Sequence, residues 1–118
     1  MAFVQTEHFV AGKTIFQAGE PGTKMYIVKE GEVELMFGGK IIATVGKGGI
    51  LGEMAVIDNN TRSATARATT DCELVLIDQK RFLTLIHQKP SFAIEVMKVL
   101  VERLRLMNDK ALGNDTTT

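Results

Sequence analysis

Between positions 13 and 78 the chain breaks into short apolar and alternating segments separated by turn residues. Met25 to Val28 is a short apolar run suited to a buried strand. Glu32-Val33-Glu34-Leu35-Met36-Phe37 mostly alternates, which places Val33, Leu35 and Phe37 on one face. Gly38-Gly39 then closes a hairpin, and Lys40 to Val45 returns. Glu20-Pro21-Gly22 reads as a turn, and Gly46, Gly48 and Gly49 make another connection permissive. Thr65-Ala66-Arg67-Ala68 and Glu73-Leu74-Val75-Leu76-Ile77 read as two further strands. Short strands at this spacing predict a mainly β sandwich or barrel, best a jelly-roll β-barrel.

The periodicity changes at Asp78. Asp78 followed by Gln79 to Ile86 predicts a short helix with Asp78 as N-cap. Pro90 and Ser91 mark a second helix start. Ala93, Met97, Leu100, Leu104, Met107 and Ala111 follow at heptad spacing, which serves either a core or a dimer seam. Gly113 is the expected stop, and residues 113–118 a frayed, disordered tail. The expected organisation is a single domain over 1–118, with the barrel at about 9–78 and the C-terminal helices at about 79–112.

Composition narrows the classes. Lys plus Arg and Asp plus Glu both number 14, so the formal net charge is zero. No basic excess points to nucleic acid, and no basic cluster to a membrane surface. Met1-Ala2-Phe3-Val4-Gln5 lacks the pattern of a secretory signal, and no apolar run reaches bilayer-spanning length. Cys72 is the only cysteine, so no internal disulfide forms, and it reads as a small buried hydrophobe. His8 and His87 are far apart and lack metal-ligand spacing. A cytoplasmic protein without a metal is expected.

Candidate chemistry is concentrated in Leu51-Gly52-Glu53-Met54-Ala55-Val56, followed after five residues by Arg62-Ser63-Ala64. Arg62 offers paired planar donors to a phosphate. Backbone N–H groups at a short helix start near Glu53, Met54 and Ala55 suit the same anion. Gly52 lets the main chain approach a ligand closely. Glu53 repels phosphate, so it accepts a hydrogen bond from another group, such as a sugar hydroxyl, or pairs with Arg62. Ser63 can donate to a phosphate oxygen or cap a turn. Arg67 lies on the opposite face and reads as a structural surface ion pair.

Upstream stands a second pattern: Ile15-Phe16-Gln17-Ala18-Gly19-Glu20-Pro21-Gly22, then Met25-Tyr26-Ile27-Val28-Lys29-Glu30-Gly31. Together the two resemble the cyclic nucleotide-binding domain family, of the type in catabolite activators and protein kinase A regulatory subunits. The resemblance covers about residues 9–112. One departure is Thr61, where many relatives carry Pro before the arginine. The resemblance implies a jelly-roll β-barrel, the double-stranded β-helix, with a short cassette helix and C-terminal helices. It implies a ligand site at Gly52, Glu53, Met54, Ala55, Arg62, Ser63 and Ala64, with Arg62 on the phosphate and Glu53 on the ribose.

The function so implied is a regulatory sensor of a cyclic nucleotide. In the family, Ala after the arginine favours cAMP and Thr favours cGMP; Ser63 sits between them, and cAMP is the leading expectation. No nucleophile with a base partner and no metal set is visible, so no catalysis is expected. The long helix is the expected output element, packed loosely without ligand and docking toward the barrel mouth with it. Stacking on the base falls to leucines, methionines or Asn108, since no aromatic follows Phe92. The expected partner is a second copy through that helix or an effector protein, with neither nucleic acid nor membrane, because no helix-turn-helix follows. The alternative is a jelly-roll scaffold or interaction protein with a degenerate pocket that binds another ligand or none.

Overall fold

The computed structural model describes residues 5–58 and 61–112. The expected helix stop at Gly113 and the frayed tail lie outside these. The elements are β1 (Thr6–Phe9), β2 (Thr14–Phe16), β3 (Lys24–Glu30), β4 (Val33–Phe37), β5 (Lys40–Val45), β6 (Ile50–Leu51), α1 (Glu53–Asp58), β7 (Thr65–Ala68), β8 (Cys72–Asp78), α2 (Gln79–Gln88) and α3 (Ser91–Leu112). The strands form two antiparallel four-stranded sheets, ordered β1-β8-β3-β6 and β2-β7-β4-β5. This is the jelly roll, built among the described residues as two facing sheets rather than one closed ring. The short strands β1, β2 and β6 are additions to the sequence reading. Each is recruited by pairing, β1 onto β8, β2 onto β7 and β6 onto β3, rather than by a pattern of its own.

Two apolar clusters explain the strand patterns. The first lies between the sheets and includes Phe16, Tyr26, Val28, Val33, Leu35 and Leu74. The second lies between the outer face of the first sheet and the helices, with Met25, Ile50, Val56, Ile77, Phe82 and Val96. β3 and β8 feed both clusters, so their sequences read as continuous apolar runs rather than alternation. Burying each large side chain contributes roughly 1.5–3 kcal/mol, and Met25 and Leu74 are buried completely.

β4 joins β5 through Gly38 and Gly39, both at positive φ (60° and 79°), as a two-residue turn of this hand requires. Within β4 the alternation is incomplete. Glu34 is buried beside Val33 and Leu35, and its carboxylate accepts hydrogen bonds from Arg67 Nε (2.9 Å) and Nη2. Arg67 is thus the ion pair expected of it, although its partner is buried rather than at the surface. Asp78 caps α2 as expected, its carboxylate accepting from the Arg81 N–H at 2.8 Å.

α3 corrects the single heptad seam. Leu100 and Met107 pack against the two clusters, whereas Met97 and Leu104 face outward. The outward stripe is Ile94, Met97, Val101 and Leu104, all about half exposed. The expected line mixed two faces because alternating three- and four-residue steps fit either.

Candidate functional site

Gly52 follows β6 at φ 75°, a conformation that favours glycine. A Cβ there would lie 2.7 Å from Arg62 Nη1, so the position also clears space for the guanidinium. Gly22 does the same from the other side: a Cβ would run into the Arg62 side chain. The backbone of Arg62 is pinned by the turn that carries Gly22. The Gly19 N–H donates to the Arg62 carbonyl, and the Arg62 N–H donates to the Glu20 carbonyl, each at 2.8 Å. Pro21 and Thr61 form a β-bridge beside them, which holds the loop where relatives often use proline.

Arg62 is 7% exposed and donates through Nη1 to the Gly52 carbonyl at 3.3 Å. Its Nε is buried with no hydrogen-bond partner among the described residues. Its guanidinium lies 4.2 Å above the centroid of the Phe16 ring and 5.8 Å from that of Tyr26. Burial pushes its pKa down, opposed by Tyr26, Glu20 and Glu53. Burial in turn pushes the Tyr26 hydroxyl up, with Arg62 pulling it back.

Glu53 opens α1 and is buried at 2% exposure. Its ion-pair partner is Arg103 of α3, Nη1 to Oε2 at 3.6 Å, not Arg62. The other oxygen, Oε1, is buried without a partner among the described residues. Desolvation raises the Glu53 pKa, against the lowering pull of Arg103, its own backbone amide and Arg62. Arg103 also donates through Nη2 to the Ile50 carbonyl at 2.7 Å, so it ties α3 to the strand that precedes the cassette.

Gly52, Glu53, Met54, Ala55, Arg62, Ser63 and Ala64, the sequence candidates, all line one cavity, together with Phe16, Leu35, Ile42, Arg103 and Met107. Ser63 Oγ meets Met54 Sδ at 3.4 Å. Asn108 is exposed and does not line the cavity. With α3 in place the cavity measures about 30 Å³. Sequence reading missed Arg103 and the part Phe16 plays. The signal for Arg103 was its phase, since Val96, Arg103 and Met107 fall on one side of α3. Glu102 and Arg105 flank it in sequence and are exposed, so nothing local sets Arg103 apart from them. Among the described residues no group of three or more His, Cys, Asp or Glu comes together to hold a metal.

A two-sheet jelly roll with a glycine-linked carboxylate and a buried arginine converging on one cavity defines a small-molecule-binding module. The cyclic nucleotide-binding domain family model matches residues 6–89. The chain belongs to that family. It is 34% identical over 110 residues to the cyclic AMP receptor protein of Thermus thermophilus, covering 89% of this chain and 51% of that protein. It is 36% identical over 72 residues to the cGMP-dependent protein kinase egl-4 of Caenorhabditis elegans, covering 61% of this chain and 9% of the kinase. Its fold superposes on cAMP-bound PfPKA-R (141-441) with a TM-score of 0.80 and 31% identity, covering 97% of this chain and 39% of that one. The chain thus spans about half the length, or less, of these relatives. No helix among the described residues is long and apolar enough to cross a membrane.

Proposed function

We propose that the chain is a non-catalytic cyclic nucleotide sensor, cAMP before cGMP, acting in the cytoplasm. The carrying observation is the convergence on one cavity of Arg62 and the Oε1 oxygen of Glu53, which with Arg103 are the three side chains there that carry a buried polar atom without a partner among the described residues. Buried polar groups are normally satisfied, and a ligand bearing an anion and a hydroxyl satisfies both. Arg62 and the N–H groups of Met54 and Ala55 take the phosphate, and Ser63 adds its hydroxyl. Glu53 Oε1 accepts the ribose 2′-hydroxyl. Met107, Leu35 and Ile42 offer the base an apolar wall. The names of the relatives span cAMP and cGMP, and Ser63 sits between the residues that favour each, so cAMP is taken first and cGMP second.

A ligand pocket usually needs roughly 300 Å³ or more, ten times the volume beneath α3. Nucleotide entry therefore requires α3 to shift, and that shift is the output. The same helix offers its outward apolar stripe to a second copy of the chain.

Calorimetric titration with cAMP and cGMP tests the reading, with Arg62→Ala as the control. Truncating a buried charge-assisted contact costs on the order of 2–5 kcal/mol, or roughly 30- to 4000-fold in affinity. Arg62→Lys weakens binding as well, because a point charge cannot make the paired contact. Equal affinity in wild type and Arg62→Ala would sink the assignment.

A further inference from the structure

Arg62 is held in an uncommon way. Among the described residues no carboxylate lies within 4 Å of its guanidinium, and its side chain makes one hydrogen bond, the 3.3 Å contact to the Gly52 carbonyl. The Phe16 ring lies against its face, 4.2 Å away at the centroid, and is itself stacked on Tyr26 at 6.0 Å and 24°. The two glycines at positions 22 and 52 leave room for the guanidinium to reach that ring.

The chemistry of the two ways of holding a guanidinium differs. A carboxylate grips the edge, consumes the in-plane N–H donors and cancels the charge. An aromatic ring grips the face, through the quadrupole, and leaves the edge donors and the charge available. An arginine that must receive a phosphate needs the second arrangement.

We infer that Phe16 is a positioning residue for Arg62: its ring face orients the guanidinium toward the cavity while leaving the in-plane donors for the ligand phosphate. Tyr26 backs the ring and fixes its plane. The inference rests on the cyclic nucleotide reading above, and it adds a residue outside the cassette. A core role alone would make Phe16 replaceable by any apolar side chain of similar size. The positioning role requires a π face.

Three forms of the protein are compared: wild type, Phe16→Leu and Phe16→Tyr. In the free wild-type protein the ring current of Phe16 should move the Arg62 Nε–Hε proton resonance upfield; the shift should vanish in Phe16→Leu and persist in Phe16→Tyr. In calorimetry Phe16→Leu should weaken cAMP binding by roughly 5- to 30-fold, the worth of a desolvated cation–π contact. Phe16→Tyr should stay close to wild type. Thermal unfolding checks that both variants remain folded at the titration temperature. An unshifted Arg62 resonance in wild type overturns the inference, as does a folded Phe16→Leu that binds cAMP as tightly as wild type. A wild type that shows the ring-current shift but binds neither cAMP nor cGMP overturns the sensor reading and the positioning role with it. The two failures are therefore told apart by the wild-type titration.

Discussion

Burial makes the chemistry of Glu53 sensitive to pH. Burial raises its pKa above the ordinary 4.5, and the nearby Arg103 offsets this only in part. As a hydroxyl acceptor it works best charged, so the raised pKa moves the loss of binding to higher pH than an ordinary carboxylate would show. Affinity for cAMP should fall as the pH drops through the raised value, beginning above 4.5. The same titration bears on folding. The folded state holds this proton in a window where the unfolded chain has lost it, so the contribution to stability is full below the ordinary value. It is lost as pH rises through the folded value. Glu53→Gln cannot titrate and should remove the acid dependence of binding. A 2′-deoxy cyclic nucleotide should remove it too, after losing roughly 10- to 150-fold at neutral pH, the worth of a hydrogen bond to a charged group. Calorimetry across the acid range, with both ligands and both proteins, reads this directly. A pH dependence that survives in Glu53→Gln would assign it to another group.

Helix α3 is the element that connects the cavity to the rest of the molecule. Arg103 reaches from it to Glu53 and to the Ile50 carbonyl, and Met107, one turn further on, lines the same cavity. Removing one member of a buried pair strands the other charge. Arg103→Ala should therefore cost on the order of 3 kcal/mol in denaturant unfolding. Adding Glu53→Gln should recover part of that loss, because the two act as one unit. Amide exchange across residues 95–112 should speed up in Arg103→Ala. In wild type, cAMP should change it by more than it changes exchange in the strands, as the helix shifts to admit the nucleotide. Exchange indifferent to both would separate α3 from the site. Much of this element was legible in advance: its start at Ser91, the Asp78 cap of α2 before it, and the cassette at residues 52–64. These depend on local chemistry, such as capping, turns and motif spacing. What was not legible depends on long-range packing. Arg103 meets Glu53 fifty residues away in sequence, and Phe16 meets Arg62 across the two strand patterns. Glu34 could not be read as buried until Arg67 was known to face it. The two faces of α3 were merged because nothing local says which of two overlapping stripes meets the barrel.

At the scale of the whole molecule, α3 presents an outer apolar seam that the described residues leave uncovered. Ile94, Met97, Val101 and Leu104 are 52%, 55%, 47% and 54% exposed, and they follow steps of three, four and three residues. With Ile94 and Val101 at one heptad position and Met97 and Leu104 at the other, β-branched residues alternate with unbranched or γ-branched ones. That arrangement favours a parallel two-stranded coil. Asn108, exposed and next in the series of the β-branched position, supplies the polar residue that fixes register and limits assembly to two strands at some cost in stability. The pattern suits the second copy of this chain proposed above. α3 has 22 residues, about three heptads, so the association should be reversible and concentration-dependent. Because Arg103 and the seam belong to one helix, a ligand that moves α3 at the cavity also moves it at the interface. Binding and dimerisation should then be coupled in both directions. Sedimentation velocity should show a monomer–dimer equilibrium whose midpoint shifts on adding cAMP. Val101→Glu combined with Leu104→Glu should abolish the dimer by placing charges in its centre, while the monomer stays folded and still binds nucleotide. A wild type that stays monomeric at every concentration, with and without nucleotide, would leave this face to a different protein. A dimer unaffected by the double substitution would place the contact elsewhere on the jelly roll.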